Sequence, residues 1–403
     1  MTAPATVATS PATDAARLRV LAAGLCSLIL TLGVARFAYT PLLPLMQQQA
    51  GLGVAEAGWL AAINYAGYLS GALLAMQGGD LVFKDRLYRV GLVVAVASTA
   101  MMGLSQDFAV WAVSRYLAGL SSAAGMLLGA GLVLNWLIRH GHRSELGIHY
   151  SGIGLGVVLC SVAVAWMGDQ LDWRGQWLAL TVLGGLLAVP ALVWLPVPAR
   201  TVPNPGAQVW RDNPPTALFL RLFMAAYFCA GIGYVVSTTF IVAIVERLPG
   251  LEGQGKWAFL AIGIAAAPAS IVWDFVARRI GDLNALITAA LLQIAGILLP
   301  VAGGGLALTL AGALLFGGTF VGIVSLVLTM AGRYYPGRPA RMMGKMSLAY
   351  GSAQIVGPAV TGWLATRFGS YQAGLYLAAG IMVLGTALLL LLKRLPVKAA
   401  GAP

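Results

Sequence analysis

The chain has 403 residues, 59% of them hydrophobic and only 9% charged, whereas soluble domains carry about 25% charged residues. That balance excludes an ordinary soluble enzyme or binding module and identifies a polytopic membrane protein. The formal net charge is +12, but the basic residues sit in short loops between apolar runs, so topology explains them and no nucleic acid is expected as a partner.

Residues 1–16 are rich in Ala, Thr, Ser and Pro and are expected to form a disordered tail. They lack the basic, then briefly apolar pattern of a cleaved signal, so the first span is expected to stay in the mature protein. Apolar runs follow at 19–46, 55–78, 87–105, 108–136, 146–168, 174–195, 217–245, 256–276, 283–301, 305–331, 342–366 and 371–392, which makes twelve spans. The first run ends in G-V-A-R-F-A-Y-T-P-L-L-P-L-M, positions 33–46. Arg36 lies inside it, where a charge costs a few kcal/mol unless it faces a polar cavity or a partner. Pro41 and Pro44 each lack an N–H, so this end of the helix is expected to bend and to free carbonyls that can hold Arg36.

If the first run enters from the cytoplasm, Arg174, Arg247, Lys256 and Arg367 are the loop cations on the opposite side. The positive-inside rule then places both termini and the even-numbered loops in the cytoplasm. The longest connection, Pro196–Thr216, has six prolines and should be an extended cytoplasmic linker. It divides the chain into an N-terminal half, 17–195, and a C-terminal half, 217–395. The halves echo one another. A basic loop at 136–148 precedes His149-Tyr150-Ser151-Gly152, and one at 332–345 leads to Ala349-Tyr350-Gly351-Ser352. Two six-span repeats around a cytoplasmic linker are a recurrent transporter plan, with the solute bound between the repeats.

Several motifs stand in register with this plan. Arg115-Tyr-Leu-Ala-Gly119-Leu-Ser-Ser-Ala123 in the fourth span fits R-x-x-x-G-x-x-x-A, and Gly351 to Gly362 is a small-residue stretch in the eleventh. Asp172-Trp173-Arg174 precedes the sixth span. On these residues the chain resembles the major facilitator superfamily over essentially its whole length. The stretch A-R-F-A-Y-T-P-L-L-P-L-M looks like the bacterial YbfB/YjiJ-like branch. The resemblance implies an all-α fold of twelve transmembrane helices in two pseudo-symmetric six-helix halves, with the first and fourth spans lining a central cavity. One family signature, G-x-x-x-D-R-x-G-R after the second and eighth spans, is degraded. Arg278 takes the usual aspartate position and Asp274 the glycine position, so Asp274 is a candidate replacement acid in the latch that this loop forms in the family.

Arg36 and Arg115 lie at similar depths when counted from the outer ends of their spans. Two readings stand: both pair with carbonyls or helix ends, or both make a cavity electropositive for an anion. Polar residues that can join them are Tyr39, Asn64, Tyr65 and Tyr68, and in the second half Tyr227, Tyr234, Thr238 and Gln354. Each taken alone is as readily a helix–helix hydrogen bond as a ligand contact. Glu145 and His149 are one turn apart at a helix start, where a helix-start charge and a local hydrogen bond explain them more simply than a proton relay. Gly67/Gly71, Gly125/Gly129 and Gly152/Gly156 read as close-packing points between helices. Trp111, Tyr116, Trp173 and Trp177 sit near run ends and read as interfacial anchors.

Cys26, Cys160 and Cys229 fall inside apolar runs, and His140 and His142 in a basic loop, so neither a disulfide framework nor a metal site is expected. There is no Gly-rich nucleotide loop. No acidic residue lies in the middle of a span, which tilts against efflux of cationic drugs. The expectation is a non-enzymatic secondary transporter of the bacterial inner membrane that moves a small organic, anionic solute by alternating access. It would need no cofactor, would contact solute and lipid bilayer, and would act as a monomer. The runner-up is proton-coupled efflux of a drug or metabolite, with coupling or gating at Glu145, His149 or Asp274. A membrane sensor would be expected to carry an extra soluble domain, and a membrane-embedded enzyme a His/Asp/Ser cluster at one face; neither is found in the sequence.

Overall fold

The computed structural model describes residues 14–77, 80–142, 146–168, 170–198, 214–303, 305–335 and 339–395. Twelve long helical segments follow one another among them, with no strands. They are α1 (Asp14–Gln49), α2 (Val54–Met76), α3 (Leu81–Leu104), α4 (Phe108–Arg139), α5 (Leu146–Met167), α6 (Trp173–Val193), α7 (Ala217–Val245), α8 (Gly255–Ile280), α9 (Asp282–Val301), α10 (Gly305–Tyr334), α11 (Pro339–Phe368) and α12 (Gln372–Leu392). Eleven are apolar enough to cross a membrane by length and composition. α11, at 30 residues, is the least apolar, with Tyr350, Gln354 and Thr361 inside it. Of the expected tail, Asp14 to Ala16 is already helix, and residues 199–213 of the expected linker lie outside the described residues.

The acids explain themselves at the helix starts. Asp80, Asp107 and Asp172 accept hydrogen bonds from the first backbone N–H groups of α3, α4 and α6, and Glu56 accepts from Gly53 N. Those N–H groups have no partner within the helix, so a carboxylate there satisfies them and favours the local dipole. This is why acids are found at span ends and are scarce between them.

Packing within the halves repeats with a shift of six. The pairs α2–α4, α1–α5 and α3–α6 recur as α8–α10, α7–α11 and α9–α12. The halves meet along α2–α11 and, as its counterpart, α8–α5. Close approach depends on missing side chains. A Cβ on Gly58 would lie 2.6 Å from the Pro358 carbonyl, and one on Gly119 only 1.8 Å from the Asn64 carbonyl. Backbones can come this near only over small residues, which is how helices associate where lipid offers no hydrophobic drive.

Three of the four aromatic residues expected as interfacial anchors face inward instead. Trp111 and Trp173 stack edge-on at 5.5 Å, and Trp177 is fully buried against Met46. Tyr116 is partly exposed and donates to Ser70. Among the described residues, Trp59, Trp166, Trp194, Trp257 and Trp363 are the exposed tryptophans near helix ends. Position along a span gives depth but not the direction in which a side chain points.

Candidate functional site

α1 is not one regular helix. Ile29–Phe37 is π-helical, and the Ala38 N–H reaches back five residues to the Gly33 carbonyl at 2.9 Å. In that register the N–H due to the Arg36 carbonyl comes from position 41, which is proline. Arg115 of α4 brings two donors to this stretch. Its Nη1 donates to the Ala35 carbonyl at 3.0 Å and its Nη2 to the Arg36 carbonyl at 3.3 Å. Its guanidinium lies over the Tyr39 ring at 4.6 Å, and the residue is 2% exposed. Asn64 Nδ2 donates to the Arg115 carbonyl at 2.8 Å, and Tyr39 Oη to the Ala57 carbonyl at 3.0 Å. Arg115, Asn64 and Tyr39 thus tie α1, α2 and α4 together. The proline-freed end of α1 was expected to hold Arg36; its carbonyls hold Arg115.

Arg36 points the other way, into a cavity of about 430 Å³ between the halves. Its guanidinium lies 4.3 Å from the ring centre of Tyr65 and 5.0 Å from that of Tyr68. Nη2 donates across to Gln354 Oε1 of α11 at 3.4 Å, and Nε finds no partner. The residue is 6% exposed, and among the described residues no ion pair includes it. A second π-helical stretch, Ala124–Gly129 in α4, brings Met126 and Leu127 to the same cavity. Such stretches often mark functional sites because they turn side chains off the regular helical face.

Of the residues expected from sequence, Arg36, Tyr68, Tyr227, Tyr234, Gln354 and Asp274 line this cavity. Arg115, Tyr39 and Asn64 do not; they border a gap of about 10 Å³ beside Arg36. His149 is fully buried and stacks edge-on with Tyr150, with its ring against Gly24 of α1. Glu145 lies outside the described residues. Asp274 forms an ion pair with Arg278 one turn along its own helix, at 2.6 Å, and does not reach the other half through that bond.

Sequence reasoning passed over Phe320, Ser270 and the repeat markers Tyr150 and Tyr350 as site residues, and all four line the cavity. Tyr350 lies one turn before Gln354, a signal that was present once Gln354 was singled out.

The cavity is closed at the end where α1 finishes. There Thr40 Oγ1 donates to the Thr238 carbonyl at 2.8 Å, and Gln47 Nε2 donates to Tyr371 Oη at 3.0 Å. Arg247 Nη2 reaches Gln47 Oε1 at 3.4 Å and lies over the Tyr371 ring. Tyr371 sits between α11 and α12, where burial raises its hydroxyl pKa and keeps it neutral, outweighing the opposing pull of Gln47 and Arg247. Toward the basic-loop end the lining becomes accessible: Asp274 and Ser347 are half-buried and Thr329 is exposed.

Twelve helices in two repeated halves around a central cavity closed at one end define a membrane transporter of the major facilitator type. The chain belongs to the family described as "Uncharacterised MFS-type transporter YbfB", whose profile matches residues 28–390. The "Uncharacterized MFS-type transporter YceJ" of Bacillus subtilis is 23% identical over 274 residues, 66% of this chain and 69% of that one. The "Inner membrane transport protein YdhP" of Escherichia coli is 24% identical over 169 residues, 41% of this chain and 42% of its own. Among solved structures, a point mutant of the nucleoside transporter NupG superposes with a TM-score of 0.75 at 13% identity, covering 94% of this chain and 99% of that one. The protein is therefore a multi-pass membrane transporter and not an enzyme.

Proposed function

We propose that the protein carries a small organic anion across the bacterial inner membrane by alternating access, with Arg36 binding the anionic group. The observation that carries this reading is a buried guanidinium that faces a cavity with an unpartnered Nε and no carboxylate paired to it. Arginine does not escape the cost of burial by losing its proton, since its pKa lies above about 12. Its planar fork matches a carboxylate or phosphate, and such a group would supply the missing counter-charge. Gln354, from the opposite half, already accepts from Arg36. A solute bound at Arg36 thus touches both halves, which is what alternating access asks of a site.

The positive-inside rule assigns the basic-loop end to the cytoplasm, so the arrangement seen is inward-facing. Proton-coupled efflux remains the second reading, favoured by Asp274, a carboxylate on the cavity wall. Uptake into proteoliposomes, with and without an imposed pH gradient, tests the proposal with a panel of carboxylic acids and their matched amides. Acids should enter and amides should not. Equal entry of both would remove the case for an anion.

A further inference from the structure

The walls beside Arg36 are aromatic, and they come from separate helices. Tyr227 and Tyr350 stack with ring centres 4.5 Å apart and planes 20° from parallel. Tyr234 continues the stack, 5.7 Å from Tyr350 and 5.2 Å from Phe320. These four residues belong to α7, α10 and α11, and all line the cavity. Gln354, which binds Arg36, stands one turn beyond Tyr350 on the same helix. The N-terminal half answers with Tyr68, also on the cavity wall, whose ring lies under the guanidinium.

A cluster of rings usually means core packing, and here part of it does. But these rings border open space of about 430 Å³, within the roughly 300–1,000 Å³ of small-molecule sites. The cavity has a cation at its closed end and aromatic rings among the residues of its walls. A flat ring would find offset-stacked partners there, and an aliphatic chain of equal size would not.

We propose that the solute is an aromatic carboxylate, with its carboxylate on Arg36 and Gln354 Nε2 and its ring against the Tyr227–Tyr350–Tyr234 wall. This rests on the reading that Arg36 takes the anionic group. Gln354 can play this part because its amide offers a donor beside the oxygen that now accepts from Arg36.

The test is equilibrium binding to the purified full-length protein with three probes: radiolabelled naphthalene carboxylate, the saturated decalin carboxylate and naphthalene carboxamide. Wild type is compared with Tyr350→Phe, which keeps the ring, and Tyr350→Leu, which keeps the bulk without it; thermal unfolding checks that both variants fold. The aromatic acid should bind best. Tyr350→Leu should lose roughly 3- to 10-fold in affinity for the aromatic acid, the size of one ring–ring contact, and Tyr350→Phe, which restores the ring, should recover most of that loss. Equal affinity for both acids, unchanged in Tyr350→Leu, would overturn the aromatic assignment and leave the anion reading intact. Amide binding as tight as acid binding would overturn the anion reading, and the assignment with it. Absence of saturable binding by the aromatic acid at millimolar concentration would also overturn the assignment.

Discussion

Arg36 and Arg115 look alike in sequence and do different work in the structure. Both are buried, but Arg115 places its fork on the Ala35 and Arg36 carbonyls. The partners each side chain meets make the difference: Gln354 and the cavity for Arg36, the backbone of α1 for Arg115. Neither is legible from spacing, because the apolar run that encodes a regular span encodes a π-helical one equally well. Arg115 is therefore a residue that fixes the stretch of α1 carrying Arg36. Arg115→Leu removes the side-chain donors to the Ala35 and Arg36 carbonyls, at about 1 kcal/mol for each bond lost, and should lower the melting temperature in detergent clearly. Arg115→Lys retains a single donor head and should recover part of the loss. An unchanged melting temperature in Arg115→Leu would mean that the carbonyls find other partners. Gly119→Ala should destabilise as well, since its Cβ would collide with the Asn64 backbone at 1.8 Å and push α2 from α4.

Among elements, the helix that sequence reading singled out first, α1, is also the one that closes the cavity. Its C-terminal end meets α7 through Thr40 and the start of α12 through Gln47. These bonds join the two halves, so they must break when the far end opens. A neutral hydrogen bond contributes about 1 kcal/mol, so Gln47→Leu with Tyr371→Phe should shift the population toward the outward-open state by roughly fivefold or more. A cysteine placed at Thr239, in a background without Cys26, Cys160 and Cys229, reports this as faster labelling from the far side. Labelling no faster than in the single-cysteine parent would show that the clasp does not hold the gate. The repeat itself was legible at this scale: Tyr150 and Tyr350, matched by sequence, both line the cavity. The inward-facing tryptophans were not, because hydropathy reports how deep a ring sits and is silent on which neighbour it meets.

For the whole molecule, composition, loop charge and the internal echo were enough for the class and the twelve-span plan. They were not enough for the closed end, which depends on contacts between residues as distant in sequence as Gln47 and Tyr371. Orientation is the expectation that the fold leaves to experiment. A single cysteine at Pro205, in the linker, should resist an impermeant maleimide in intact cells and react in inverted vesicles; labelling in intact cells would reverse the topology. The most direct test of the account is uptake of the panel acids by proteoliposomes carrying Arg36→Gln and Arg36→Lys. Removing the charge should abolish uptake while the protein still folds and inserts. Lysine keeps the charge but loses the fork, so transport should persist with a raised KM. Wild-type uptake and KM in both variants would contradict the account and leave Arg36 as a structural residue only.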